Sequence, residues 1–116
     1  MNPCLQPQTS LKDVAVILAA LGHEVRLKIL AALADKELYL SEIAKKVCIS
    51  RALAKVHLKI LEKAGLVESK LVLDEKKGKA LRYYRAVNFK LTLTLENIAN
   101  NKIYLQLEKK KCCSTS

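Results

Sequence analysis

The 116-residue chain predicts a mainly α-helical domain carrying one small β-hairpin, in the order α-α-α-α-β-β-α. Three observations predict it. Apolar residues recur at spacings of three and four in successive stretches that open on a capping residue and close on glycine or a charged pair. Two further apolar runs flank the polar turn 74–79, which contains Gly78. An apolar content of 51% over this length is enough for one compact core without disulfides. Residues 10–111 are therefore read as one domain, between flexible tails at 1–9 and 112–116.

The elements follow in order. Ser10 is placed to cap a first helix with Asp13 at its third position and Gly22 as its stop. Residues 14–21 are apolar on every face, so one side of this helix packs on the chain's own core and the other calls for a partner, most simply a second copy. A second helix from His23 or Glu24 to about Ala34 turns Val25, Ile29, Ala32 and Leu33 inward and leaves Lys28 outside. After a short extended link at 37–40, Ser41 is read as the cap of a brief helix to about Val47, with Ile43, Ala44 and Val47 inward. The turn Cys48-Ile49-Ser50 follows, with Cys48 read as a small buried filler.

Ser50 then caps a fourth helix that ends at Gly65. Leu53, Ala54, His57, Leu58, Leu61 and Ala64 form its expected buried stripe, and Arg51, Ala52, Lys55, Val56 and Lys59 lie opposite. Strands at 66–73 and 80–87 make the hairpin. Residues 89–111 fit a strand where Leu91, Leu93 and Leu95 alternate, but a helix better over the full length, and are read as mostly helical despite Asn97, Asn100 and Asn101.

Charge placement bears on function. Residues 1–40 hold four basic and four acidic side chains, residues 91–116 four and two, and residues 41–90 thirteen and five. Most of the net charge of +10 thus falls on the third and fourth helices and the hairpin. Such confinement is the footprint of a polyanion partner, with a merely solvated basic surface as the alternative. The cationic side of the fourth helix is narrow enough for the major groove of B-DNA, about 12 Å wide. Arg51 and Lys55 suit guanine edges, Ala52 and Val56 a thymine methyl, and Ser50 the start of the same surface. Lys59, Lys76, Lys77, Lys79 and Arg82 suit phosphates, with Lys45 and Lys46 in support, or else the hairpin lysines only guard a sheet edge.

Other classes find little support. Three glycines form no phosphate-binding loop, there is no paired acid–base constellation and no metal-spaced cluster, so neither an enzyme nor a cofactor is expected. No apolar run approaches a bilayer span, and the chain is expected to be cytoplasmic, away from membranes. Cys112 and Cys113, adjacent and so too close for a relaxed disulfide, could with Cys4 bind a thiophilic ion or sense redox state.

Three segments carry a family likeness: LGHEVRLKIL at 21–30, LYLSEIAKKV at 38–47 and SRALAKVHLKILEKAGLV at 50–67. In the third, Ser50, His57, Leu58, Lys59, Leu61, Ala64, Gly65, Leu66 and Val67 hold the pattern's positions. The chain resembles the ArsR-like winged helix-turn-helix transcriptional regulators over residues 10–111. The resemblance implies a homodimer built through the first and last helices, with two recognition helices in successive major grooves of double-stranded DNA. The simplest output of such a protein is repression by occluding a promoter. Metal-sensing members often carry cysteines in the segment matching 37–43, where Tyr39 stands here, and the last helix has no histidine for the other known metal site. Ala52, Leu53 and Lys55 replace residues that are often Ser or Thr, which shifts DNA contact towards phosphate charge. Alternatives are a low-specificity architectural DNA-binding protein, a thiol-based metalloid- or redox-sensing repressor, and a winged-helix module for a protein partner.

Overall fold

The computed structural model describes residues 5–76 and 78–108. Its elements are β1 (Leu5–Thr9), α1 (Leu11–Leu21), α2 (Glu24–Leu33), β2 (Leu38–Tyr39), α3 (Leu40–Val47), α4 (Arg51–Lys63), β3 (Val67–Asp74), β4 (Lys79–Ala86), β5 (Asn88–Thr92), α5 (Leu95–Ala99) and β6 (Ile103–Glu108). The helices and hairpin from Leu11 to Ala86 match the order expected from the sequence. Where one domain was expected over 10–111, the chain divides into two compact units, one running to Ala19 and resuming at Val87, the other spanning Ala20–Ala86.

In the Ala20–Ala86 unit, helices α2, α3 and α4 share a core with a three-stranded antiparallel sheet of order β2-β4-β3. Each helix begins where a cap is available. His23 Nδ1 accepts from Val25 N at 3.2 Å to start α2, and Ser50 Oγ accepts from Leu53 N at 3.1 Å to start α4. α3 starts at Leu40, ahead of the Ser41 cap expected from the sequence. Its cap residue is Tyr39, whose N–H donates to Glu42 Oε1 at 3.1 Å, so a carboxylate three residues on closes the end without the serine hydroxyl.

The chain leaves α3 and α4 through left-handed residues. At the end of α4, Gly65 has φ +81°, Gly65 N donates to Glu62 O and Leu66 N to Leu61 O, both at 3.0 Å. Cys48 performs the same office after α3 with φ 64°, although it is no glycine, and Ile49 N donates to Ala44 O at 3.0 Å. Its side chain is exposed, which corrects the buried filler expected from its apolar character. The thiol donates to Lys45 O at 3.8 Å.

Ile29, Leu38, Ile43, Leu58, Leu61 and Leu66 are fully buried here, with Ala54, Val67 and Tyr84 beside them in sequence or sheet. β3 and β4 pair in continuous register from Val67↔Ala86 to Asp74↔Lys79. Asp74 Oδ1 accepts from Lys76 N at 3.1 Å, and Gly78 takes φ +63° to complete the turn. β3 lies at the sheet's edge, and its outer half exposes Leu71 and Leu73.

The other unit corrects two expectations. Residues 89–111 were expected to be mostly helical, yet residues 88–108 form β5, the five-residue α5 and β6, in an antiparallel sheet of order β1-β6-β5. Of the alternating leucines only Leu91 lies in a strand, since β5 ends at Thr92 and Leu95 opens α5 with 82% of its surface exposed; the alternation that holds is in β6, where Ile103 and Leu105 are buried around exposed Tyr104. Thr94 caps α5 by accepting from Asn97 N at 3.1 Å, and Asn101, at φ 56°, ends the short helical segment. Residues 5–9, expected as tail, form β1, with Leu5 opposite Gln106 and Thr9 opposite Ile103.

α1 has the cap and the bounds expected of it. Ser10 Oγ accepts from Asp13 N at 3.2 Å. Val14, Ile17 and Ala20 are buried, whereas Leu11, Val16 and Leu18 remain exposed. Among the described residues no helix is long and apolar enough to cross a membrane.

Two substitutions test this account. Leu58→Ala should cost about 2–5 kcal/mol of unfolding free energy through the cavity it leaves. Gly65→Ala, with open space for its Cβ but a left-handed backbone, should cost about 1 kcal/mol. Urea denaturation followed by circular dichroism measures both.

Candidate nucleic-acid interface

The geometry of α4 decides which residues share a surface. Successive residues rotate by about 100°, so a step of four advances the side chain by roughly 40°. Arg51, Lys55, Lys59 and Lys63 therefore form one slanting row, and all are exposed. Ala54, His57, Leu58 and Leu61 face the other way and are buried. Ser50, Ala52 and Val56 are exposed with the cations, as expected. Leu53 is not buried: 44% of its surface remains accessible, which corrects its place in the inward stripe. It lies in the first turn, about 100° round from Ala54, and its angular position on the helix was the signal to use.

Local electrostatics favour an anion at this end. The first turn of α4 contains no acidic residue and begins with Arg51. A cation beside the positive end of the helix dipole is locally unfavourable, and both it and the free N–H groups are satisfied by a negatively charged partner.

The hairpin presents Lys76 and Lys79 exposed at its turn. Lys77 lies outside the described residues. Arg82 is exposed, but its Nη1 donates to Ser69 Oγ at 3.2 Å, and that hydroxyl donates to Glu62 Oε2 at 2.8 Å. This relay ties the last turn of α4 to both strands, a positioning role for Glu62 and Ser69 that sequence reading missed. The signal available was Glu62 itself, the first acid on an otherwise basic side. At the base of the hairpin Arg85 Nη2 and Nε reach Glu68 Oε1 at 2.7 and 3.1 Å, and Lys70 pairs with Glu37 at 3.5 Å. Lys45 and Lys46 are exposed on α3.

His57 packs under α4, with its ring centroid 4.7 Å from that of His23 and the planes tilted by 53°. Its Nδ1 is buried without a hydrogen-bond partner among the described residues. Burial lowers its pKa from 6.5, and the nearby charges of His23 and Arg26 lower it further. Burial raises the Tyr84 phenol, and the Glu62 carboxylate adds to the rise while Arg82 opposes it.

No group of three or more potential metal ligands occurs among the described residues. Cys4, Cys112 and Cys113, the thiols considered for ion or redox sensing, lie outside them.

Helix α3, the turn at 48–50, helix α4 and the hairpin β3–β4 together define a winged helix-turn-helix regulator. Residues 23–69 match the family described as bacterial regulatory protein, arsR family. Over 86 residues the chain is 40% identical to an uncharacterized HTH-type transcriptional regulator of Methanocaldococcus jannaschii, covering 74% of this chain and 88% of that protein. The chain belongs to the ArsR family of DNA-binding transcriptional regulators.

Solved structures agree with that assignment. The fold is similar to a homodimeric winged helix-turn-helix DNA-binding domain from Mycobacterium bovis, at 33% identity and a TM-score of 0.56, over 66% of this chain and 65% of that one. This chain thus spans just under two thirds of that domain. It is also similar to the transcriptional repressor BigR from Xylella fastidiosa, at 25% identity and a TM-score of 0.56, over 66% and 72% of the two chains.

The His57 environment has a consequence for acid stability. Folding disfavours the protonated His57 imidazole, so the unfolded chain binds more protons near the ordinary value of 6.5. The contribution is fully present above 6.5 and is lost as pH falls from there towards the lowered folded value. Thermal melts across this range should show a steeper acid decline for the natural chain than for His57→Gln.

Proposed function

We propose that this chain is a dimeric, sequence-specific regulator of transcription that places α4 in the major groove of double-stranded DNA and represses by occluding a promoter. The observation that carries the proposal is the row Arg51, Lys55 and Lys59, exposed together on one helix whose opposite side is buried. In this reading Arg51 and Lys55 donate to guanine edges, Ser50 begins the contact surface, and Lys59 meets the phosphate backbone. Ala52 and Val56 stand beside the cations, close enough in angle to touch a thymine methyl.

The hairpin extends the contact. Lys76 and Lys79 approach phosphates beside the groove, and Lys77 belongs to the same basic turn. Arg82 contributes less than the lysines, because one of its N–H groups is committed to Ser69. Its larger service is to hold the hairpin against the end of α4.

Dimerisation rests on α1. The Mycobacterium bovis relative is homodimeric, and α1 here leaves Leu11 and Leu18, seven residues apart and so on one side of the helix, exposed for a second copy to cover, with Val16 exposed on the far side. In place of the long last helix invoked by the family resemblance, residues 88–108 form two strands and the five-residue α5, so α1 carries this role in our reading. Two copies would present their α4 helices to half-sites roughly 34 Å apart.

The test is retention on duplex DNA. Arg51→Glu combined with Lys55→Glu should abolish binding while leaving the helical circular-dichroism signal intact. Unchanged binding would instead favour a basic face that serves a protein partner. With about six phosphate contacts per dimer, the logarithm of affinity should fall against the logarithm of salt with a slope near −5. Competition between a selected duplex and bulk DNA separates a specific regulator from an architectural protein, which would bind both alike.

A further inference from the structure

The exposed side of α4 is not uniformly basic. Beside the cationic row runs a second one, Ala52, Val56 and Ile60, one residue on at each step. Leu53 adjoins it. Val56 is 54% exposed, Leu53 44% and Ile60 37%. Large apolar side chains standing in water beside a groove-sized basic surface call for an apolar counterpart.

The chemistry of the face narrows that counterpart. From Arg51 to Lys63 the helix contains no Asn, Gln, Ser or Thr, the side chains that pair with adenine through an amide or bond bases through a hydroxyl. Ser50 lies at the edge and its oxygen already accepts from Leu53 N. The α4 side chains opposite the buried stripe thus offer cationic donors and hydrocarbon. On the floor of the major groove the feature that rewards hydrocarbon is the C5-methyl of thymine. A second copy is a poorer occupant, because pairing this face with itself would bring Arg51, Lys55 and Lys59 against their own equivalents.

We propose that Leu53 and Val56 read thymine C5-methyl groups, so that half-sites are specified by guanine and thymine and not by amide recognition of adenine. This inference rests on the placement of α4 in the major groove argued above, and adds Leu53 as a specificity-determining residue. The cations supply affinity and guanine contact, and the apolar row supplies discrimination.

The experiment acts on the DNA, which leaves the protein's folding untouched. The full chain selects duplexes from a randomised pool, and the enriched duplex is remade with deoxyuridine in place of thymidine, which removes the methyl and nothing else. Affinity should fall roughly threefold to fourfold for each contacted methyl lost. Leu53→Ala and Val56→Ala should bind with a thymidine-to-deoxyuridine affinity ratio closer to one. Equal affinity of the natural chain for the two duplexes overturns methyl reading while leaving the chain a DNA-binding regulator. Failure to enrich any duplex over bulk DNA overturns the specific-regulator reading itself. If Leu53→Ala and Val56→Ala alter self-association and leave the deoxyuridine penalty unchanged, the face belongs to a protein contact and the proposal fails.

Discussion

The roll of α4 about its own axis is the constraint on which the rest depends. Ala54, His57, Leu58 and Leu61 occupy one narrow sector of that helix and are nearly or wholly removed from water. Any rotation would expose leucine and bury lysine, and the second half of that exchange costs several kcal/mol unless the ammonium finds a partner. Burial therefore fixes the direction of the cations more firmly than any contact the cations make. It is a hydrophobic device with an electrostatic outcome.

Neighbouring features hold the helix along its length and at both ends. Cys48 and Ser50 set a short, tight entry from α3, the first by adopting a left-handed backbone and the second by capping. Gly65 turns the chain directly into β3, and the Glu62–Ser69–Arg82 relay locks the hairpin to the last turn. The hairpin lysines thus stand at a set distance from the α4 cations. Beneath them the His57 ring fills space next to His23, itself the cap of α2, so α4 rests on the start of another helix.

Much of the Ala20–Ala86 unit could be read from the sequence, because its signals are local. Ser50 caps where expected, Gly65 and Gly78 take the positive φ their positions called for, and the lysines of α3 and α4 point outward. Residues 88–108 resisted, because leucines spaced at 91, 95 and 105 satisfy both a helical and a strand period, and the choice belongs to pairing partners far away in the chain. Strand β1 illustrates the point, since nothing between Leu5 and Thr9 announces a partner at Ile103. Within the interface the misreadings were Leu53 and Cys48, both assigned inward by their apolar character, when helix angle turns Leu53 out and Cys48 is exposed. The roles of the cations in α4 and the hairpin rest on chemical argument in the sequence and in the fold alike.

The outer half of β3 has a bearing on how the protein behaves in concentrated solution. Leu71, Val72 and Leu73 form a short, β-prone run on a strand whose far edge has no neighbour in its sheet. Lys70 and Asp74 bracket that run, and Lys70 is steadied by Glu37. Bracketing charges of this kind act as gatekeepers, because a second molecule adding its own strand there must strip water from them. The wing can thus carry an oily edge into solvent and still resist stacking into fibrils.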